Sequence, residues 1–252
     1  MRLFFALISL AICDVCVAQK KIASAELPAP VVFASVDRPG DLYVILSNGE
    51  ALKFDKDALQ IGRKKFDAVP TLFDPKDGTR AFAYFREKQT IESIAPDLSF
   101  SDTSPLHPEF AVNAWLVCPS KNEFWILDGA DLSLKKTKEK GTAIAYESKY
   151  GGTGNAVYMR EYLNFLFVLD NGIHILNNLG KEIRKLDASP SYFSFLGEEI
   201  YFLSGNSLQL VDLYTTEKRE IALPHPTKFA FLTDSRMILV GDRTVEFFEF
   251  VP

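Results

Sequence analysis

The sequence predicts an all-β fold, a six-bladed β-propeller whose last blade is closed by the N-terminal strand. Three observations carry this expectation. First, one apolar central strand recurs six times: Leu42-Tyr43-Val44-Ile45, Phe82-Ala83-Tyr84-Phe85, Phe124-Trp125-Ile126-Leu127, Leu166-Phe167-Val168-Leu169, Ile200-Tyr201-Phe202-Leu203 and Met237-Ile238-Leu239-Val240. From Leu42 to Met237 there are 195 residues over five intervals, a mean of 39, close to the roughly 40–45 residues of a four-stranded blade. Second, apolar residues alternate or come in short runs bounded by Gly, Pro, Asn or Asp, and no helical period stands out. Third, the last unit ends one strand short, while residues 20–27 ahead of the first unit have the character of one extra strand.

Blade 1 is the clearest unit. Residues 31–36 form its inner strand, and Asp37-Arg38-Pro39-Gly40 turns the chain. Residues 41–46 follow, then Asn48-Gly49, a two-residue hairpin signal because both positions tolerate positive φ. Residues 50–54 alternate as a third strand. The fourth, around 59–63, ends in Arg63-Lys64-Lys65, charge that suits an outer edge. Blade 2 is expected over about 66–101 and blade 3 over about 110–147, turning at Asp128-Gly129. Blade 4 starts near Asn155, turns at Asp170-Asn171-Gly172, and has Met159-Arg160-Glu161-Tyr162 joining its first two strands. Blade 5 starts at Ser191 and turns at Ser204-Gly205-Asn206. Blade 6 starts at Thr227, turns at Gly241-Asp242 and ends with a strand at 244–250. Pairing 20–27 with that strand would close the ring without an unpaired major edge.

The first 18 residues read as a secretory signal. Met1-Arg2 is a positive start, residues 3–12 are apolar but too short to span a bilayer, and Cys16-Val17-Ala18 ends in a cleavage pattern with Gln19 next. The expected organisation is a signal at 1–18 and one propeller domain at 19–252. The chain is expected to be exported to the periplasm, the outer membrane surface or the exterior, with no membrane span. Only Cys118 remains after cleavage; it sits in an apolar run and reads as a buried, inert core thiol. A formal net charge of −5 argues against nonspecific nucleic-acid binding, which needs a positive surface. A monomer is expected.

The stretch Phe33-Ala34-Ser35-Val36-Asp37-Arg38-Pro39-Gly40-Asp41-Leu42-Tyr43-Val44, followed by Asn48-Gly49 and Lys53-Phe54-Asp55, resembles the repeat of NHL-like and TolB-like six-bladed propellers. Blade 4 keeps Phe167-Val168-Leu169-Asp170 and blade 5 keeps Ile200-Tyr201-Phe202-Leu203. The whole chain is also similar to small exported propeller proteins of Bacteroidota without an assigned function. The resemblance implies a binding platform in most cases, and a hydrolase, lactonase or cyclotransferase in some; fold analogy does not choose among them.

Candidate chemistry is sparse. His107, His174 and His225 form no local metal motif; His174 reads as structural, on a strand. The inner strands carry mainly Ser35, Thr71, Asn113, Asn155, Ser194 and Lys228, with Asp37 and Asp74 only at strand ends, too few carboxylates for a hard cation. Gly151-Gly152-Thr153-Gly154 lacks the Lys-Ser/Thr of a phosphate loop. No metal or other cofactor is expected. His107 and His225 lie in blade-to-blade loops, as does Tyr150, on the face that includes residues 104–109, 146–155 and 224–227. Arg160, Glu161 and Tyr162 mix charge with an aromatic, as interface hot spots do. These six residues are the expected contact sites of a non-enzymatic propeller that binds a protein or an envelope glycan. The alternatives are a hydrolase or lyase at the channel mouth, or a structural component of an envelope assembly.

Overall fold

The computed structural model describes residues 20–251 except 76–77, 122 and 139–141. The expected signal at 1–18 lies outside the described residues. The described residues form 24 strands in six four-stranded antiparallel sheets, and among them there is no helix. The first strand, β1 (Lys21–Glu26), stands apart from the blade that follows it. Blade 1 comprises β2 (Val31–Val36), β3 (Leu42–Leu46), β4 (Glu50–Phe54) and β5 (Gln60–Lys65). Blade 2 comprises β6 (Leu72–Asp74), β7 (Ala81–Phe85), β8 (Thr90–Ile94) and β9 (Ser101–Pro105). Blade 3 holds β10 (Ala114–Pro119), β11 (Phe124–Asp128), β12 (Ser133–Thr137) and β13 (Ile144–Lys149). Blade 4 holds β14 (Tyr158–Tyr162), β15 (Phe165–Leu169), β16 (Ile173–Leu176) and β17 (Glu182–Leu186). Blade 5 is β18 (Ser194–Leu196), β19 (Glu199–Ser204), β20 (Ser207–Asp212) and β21 (Lys218–Ala222). Blade 6 is β22 (Phe229–Leu232), β23 (Arg236–Val240) and β24 (Thr244–Glu249), with β1 as its outermost strand.

The closure expected from the sequence is thus present. β1 pairs antiparallel with β24 from Lys21↔Phe248 to Glu26↔Thr244. Lys21 and His225, the latter from the blade 5–6 loop, both bond the Glu246 carboxylate on β24. One side chain therefore ties together three parts of the closing blade.

Burial follows strand order. β3 and β7 are buried at every residue, because blades pack against both of their faces. The outermost strands β1, β5 and β13 alternate between exposed and half-buried, as edges facing water do. Polar ends of large core rings then reach into the next blade. Tyr84 Oη donates to the carbonyl of Ala114 at 2.6 Å, Trp115 Nε1 to Ala156 at 2.7 Å, and Tyr192 Oη to Ala230 at 2.8 Å. Each ring supplies apolar area while its one polar atom finds a partner.

The blade-to-blade loops are held by aspartates at the ends of second strands. Asp128, fully buried, accepts from the backbone N–H of Val112, Asn113 and Ala130 at 2.8–3.1 Å and sits 3.4 Å from Lys135 Nζ. Asp170 accepts likewise from Thr153 and Gly154. His174 is structural: Nδ1 lies 2.6 Å from Glu182 and Nε2 2.8 Å from the Asp170 carbonyl.

Two boundaries differ from the sequence expectation. Blade 2 runs to Pro105 rather than 101, because its last strand, β9, is a polar Ser/Thr-rich edge held by backbone pairing to β8. Phe66 is not its start; it ends the blade 1 edge, with its N–H donating to Gly49. More consequentially, residues 159–162 do not join two strands. They lie in β14, the inner strand of blade 4, paired with β15 from Tyr158↔Leu169 to Tyr162↔Phe165. The turn is Leu163-Asn164, both with positive φ (48° and 65°). It is a two-residue hairpin turn without the glycine that normally announces one.

A blind funnel at one channel mouth

Antiparallel order places the turns between first and second strands on one face, together with those between third and fourth. The blade-to-blade loops and second-to-third turns share the other. On the first face a cavity of about 900 Å³ opens. Its wall is built by the first turns of blades 1, 3, 4, 5 and 6 and by the end of β6.

The funnel does not continue as an open channel. Phe33 from blade 1 meets Tyr158 from blade 4 at 5.7 Å and Phe229 from blade 6 at 6.4 Å, and Tyr158 meets Phe193 from blade 5 at 5.1 Å. These rings plug the axis. Arg160 lies two residues beyond Tyr158 along β14, on the funnel side of the plug. The residue is 9% exposed, and its guanidinium reaches Asp74 Oδ1 of blade 2 at 3.4 Å. Burial opposes this charge, but Asp74 and the phenols of Tyr158 and Tyr201 outweigh burial and hold the guanidinium pKa above its ordinary value.

Arg160 also lies over the Phe195 ring, 5.9 Å from its centroid. Tyr162 stacks on the same ring at 4.1 Å and 10°, and its hydroxyl donates to the Gly197 carbonyl at 2.7 Å. Burial pushes the Tyr162 phenol up, with Arg160 and then Arg38 of blade 1 acting in opposition. Glu161 is otherwise engaged. It accepts from Ser120 Oγ at 3.0 Å and Trp125 Nε1 at 2.5 Å, and Lys136 Nζ lies 3.5 Å away. Beside it, between blades 3 and 4, a second recess of about 470 Å³ is lined by Lys121, Glu123, Lys136 and Asn178. Asp37 at the opposite wall accepts from the N–H of Gly40 and Asp41 and lies 3.6 Å from Lys53. Burial raises its pKa despite those bonds.

The structure thus brings together Arg160, Glu161 and Tyr162, but not the other three sequence candidates. His107, Tyr150 and His225 lie on the face opposite the funnel. His107 is exposed, with its ring 5.4 Å from Phe110. Tyr150 is 2% exposed and packs edge-on against His174 at 5.6 Å. His225 is half-exposed and bonds Glu246 at 2.5 Å. Among the described residues, no three His, Cys, Asp or Glu side chains group as a metal site, and no helix is long and apolar enough to cross a membrane.

Sequence reasoning missed Asp74 and Phe195 as partners of Arg160. A signal for Arg160 itself existed. The residues paired with the second position of each central strand are Ser35, Phe73, Cys118, Arg160, Ser194 and Phe231. Only one of the six is charged.

No protein-family model matches the sequence, and no curated protein does. Solved structures do match. The Pan2 WD40 domain of Neurospora crassa is 8% identical, with 88% of this chain and 79% of that one covered and a TM-score of 0.56. A chain of the mitotic checkpoint complex is 13% identical over 88% and 75%, with a TM-score of 0.54. BamB from Moraxella catarrhalis is 8% identical over 92% and 100%, with a TM-score of 0.46. At these identities the likeness is one of fold.

Proposed function

We propose that this chain is an exported, non-enzymatic propeller that binds a partner through the funnel. The observation that carries the reading is the blind funnel itself. Its closed end holds a nine-tenths-buried arginine beside a stacked aromatic pair. Concave sites with a few convergent polar groups are where ligands bind, and buried Arg and Tyr side chains anchor interfaces. The likeness of blade 1 to NHL-like and TolB-like repeats supports a binding role, and the pattern of residues 1–18 supports export.

The test is photo-crosslinking in envelope extracts. A photoreactive side chain replaces Leu163 at the funnel lip, which is 41% exposed, or Val112 on the opposite face, 88% exposed. A saturable crosslinked partner from position 163 and none from 112 is the expected result. Crosslinking from 112 alone would move the contact to the face of His107, Tyr150 and His225. Turnover of an ester, peptide or glycan by the purified protein, lost with R160K, would replace binding by catalysis.

A further inference from the structure

We infer that the funnel receives the carboxylate-bearing end or loop tip of a protein segment, with Arg160 as its anchor. This rests on the binding reading above and adds the chemistry of the ligand. A guanidinium offers five donors in a planar fork that matches a carboxylate through two parallel bonds. Asp74 does not use that fork. It meets one terminal nitrogen at 3.4 Å, beyond the roughly 2.7–2.9 Å of a formed charge-assisted bond. The Tyr158 phenol takes one further donor, and the donors left over give the fork room for a second carboxylate.

The surrounding charges favour such a guest. Of the acids of the wall, Glu161 is committed to Ser120, Trp125 and Lys136, whereas Asp37 keeps one buried oxygen without a hydrogen bond, 3.6 Å from Lys53, whose nearer partner is Asp41 at 2.9 Å. At the rim, Arg38 is exposed and, among the described residues, has no carboxylate within ion-pair distance. Its field reaches the Tyr162 phenol from the opposite side of the ring. The opposing charges among the lining residues are the buried Asp37 and the exposed Asp234. An incoming anion thus meets Arg38 first and Arg160 last.

The geometry points to protein rather than glycan. Sugar rings dock on open aromatic faces. Here Tyr162 and Phe195 cover each other, and Arg160 lies over the Phe195 ring. The plug formed by Phe33, Tyr158, Phe193 and Phe229 closes the axis, so a guest must enter by an end or a tip.

The test uses the full mature chain and four probes, with binding followed by the arginine Nε–H NMR signals. Three are acetylated tetrapeptides, Gly-Ser-Phe-Gln with a free C-terminus, Gly-Ser-Phe-Glu amide and Gly-Ser-Phe-Gln amide. The fourth is digalacturonic acid. At least one acidic peptide should shift the Arg160 signal and bind tenfold or more tightly than the neutral amide. Which one does so separates a chain terminus from a side-chain carboxylate. R160K, which keeps the charge and loses the fork, should weaken that binding about tenfold. R38A, at an exposed site, should weaken it about threefold with an unchanged melting temperature. Equal binding of the neutral amide at Arg160 would overturn the carboxylate chemistry and leave funnel binding standing. No peptide shift, unaltered binding in both variants, or saturation by digalacturonic acid alone would each overturn the inference. Failure of every probe together with no crosslink at position 163 would remove the binding reading itself.

Discussion

Replacing Asp128 by Ala should destabilise the propeller by about 3 kcal/mol, although the residue touches no candidate ligand. Its carboxylate is fully buried and accepts three backbone N–H groups, from Val112, Asn113 and Ala130, with Lys135 alongside. Bonds to a charged acceptor contribute about 1.5–3 kcal/mol each. Water can reach part of this loop, since Val112 is 88% exposed, so about 1 kcal/mol per lost acceptor is the fitting magnitude. For a chain of this size the loss should lower the melting temperature by about 6–12 °C. Burial favours the neutral acid, but the N–H groups of Ala130, Val112 and Asn113 and the Lys135 ammonium outweigh it and hold the carboxyl below its ordinary 3.8. The contribution is therefore complete above that ordinary value and is lost as the pH falls through the lower, folded-state one. Urea unfolding followed by Trp fluorescence is the assay, because both tryptophans, Trp115 and Trp125, lie in the same blade. Asp131→Ala, at an exposed turn, serves as the control. A D128A midpoint within 1 kcal/mol of wild type at neutral pH, or a deficit that persists undiminished in strong acid, would refute the reasoning.

Removing residues 20–27 should uncover the β24 edge and lower the melting temperature by roughly 10 °C or more. Calorimetry that finds no change would show that the ring does not need β1. Glu246→Gln should cost about 1 kcal/mol at neutral pH by weakening the contacts to Lys21 and His225. Lys21, followed by His225, holds the Glu246 pKa below its ordinary 4.5 against a smaller effect of burial. The deficit should therefore be full above that value and close as the pH falls below it, and pH-dependent denaturation curves that stay parallel would contradict this.

Much of the fold was legible because a blade is a local object. Alternation, turn residues and a repeat near 39 residues suffice to count six units. The missing strand of the last unit pointed to β1 before any contact was known. The buried Cys118 and the structural His174 were readable for the same reason, since each sits in an apolar strand. The error at residues 159–162 was also local. Leu163 and Asn164 take positive φ without a glycine, so nothing in the sequence marked the true end of β14.

The site was less legible, because no local pattern encodes where six inner strands converge. Arg160 belongs to blade 4, Asp74 to blade 2, Phe195 to blade 5 and Arg38 to blade 1. They share one mouth only because the ring brings the ends of those strands together. The same closure drives Phe33 against Tyr158 and Phe229, which turns a channel into a blind funnel. The sequence by itself determined the number of blades, their closure and the burial of their central strands, since these follow from periodicity within each unit. The tertiary structure alone decided which face is hollow and which charge lies at its end, since both depend on the curvature that relates one unit to the next.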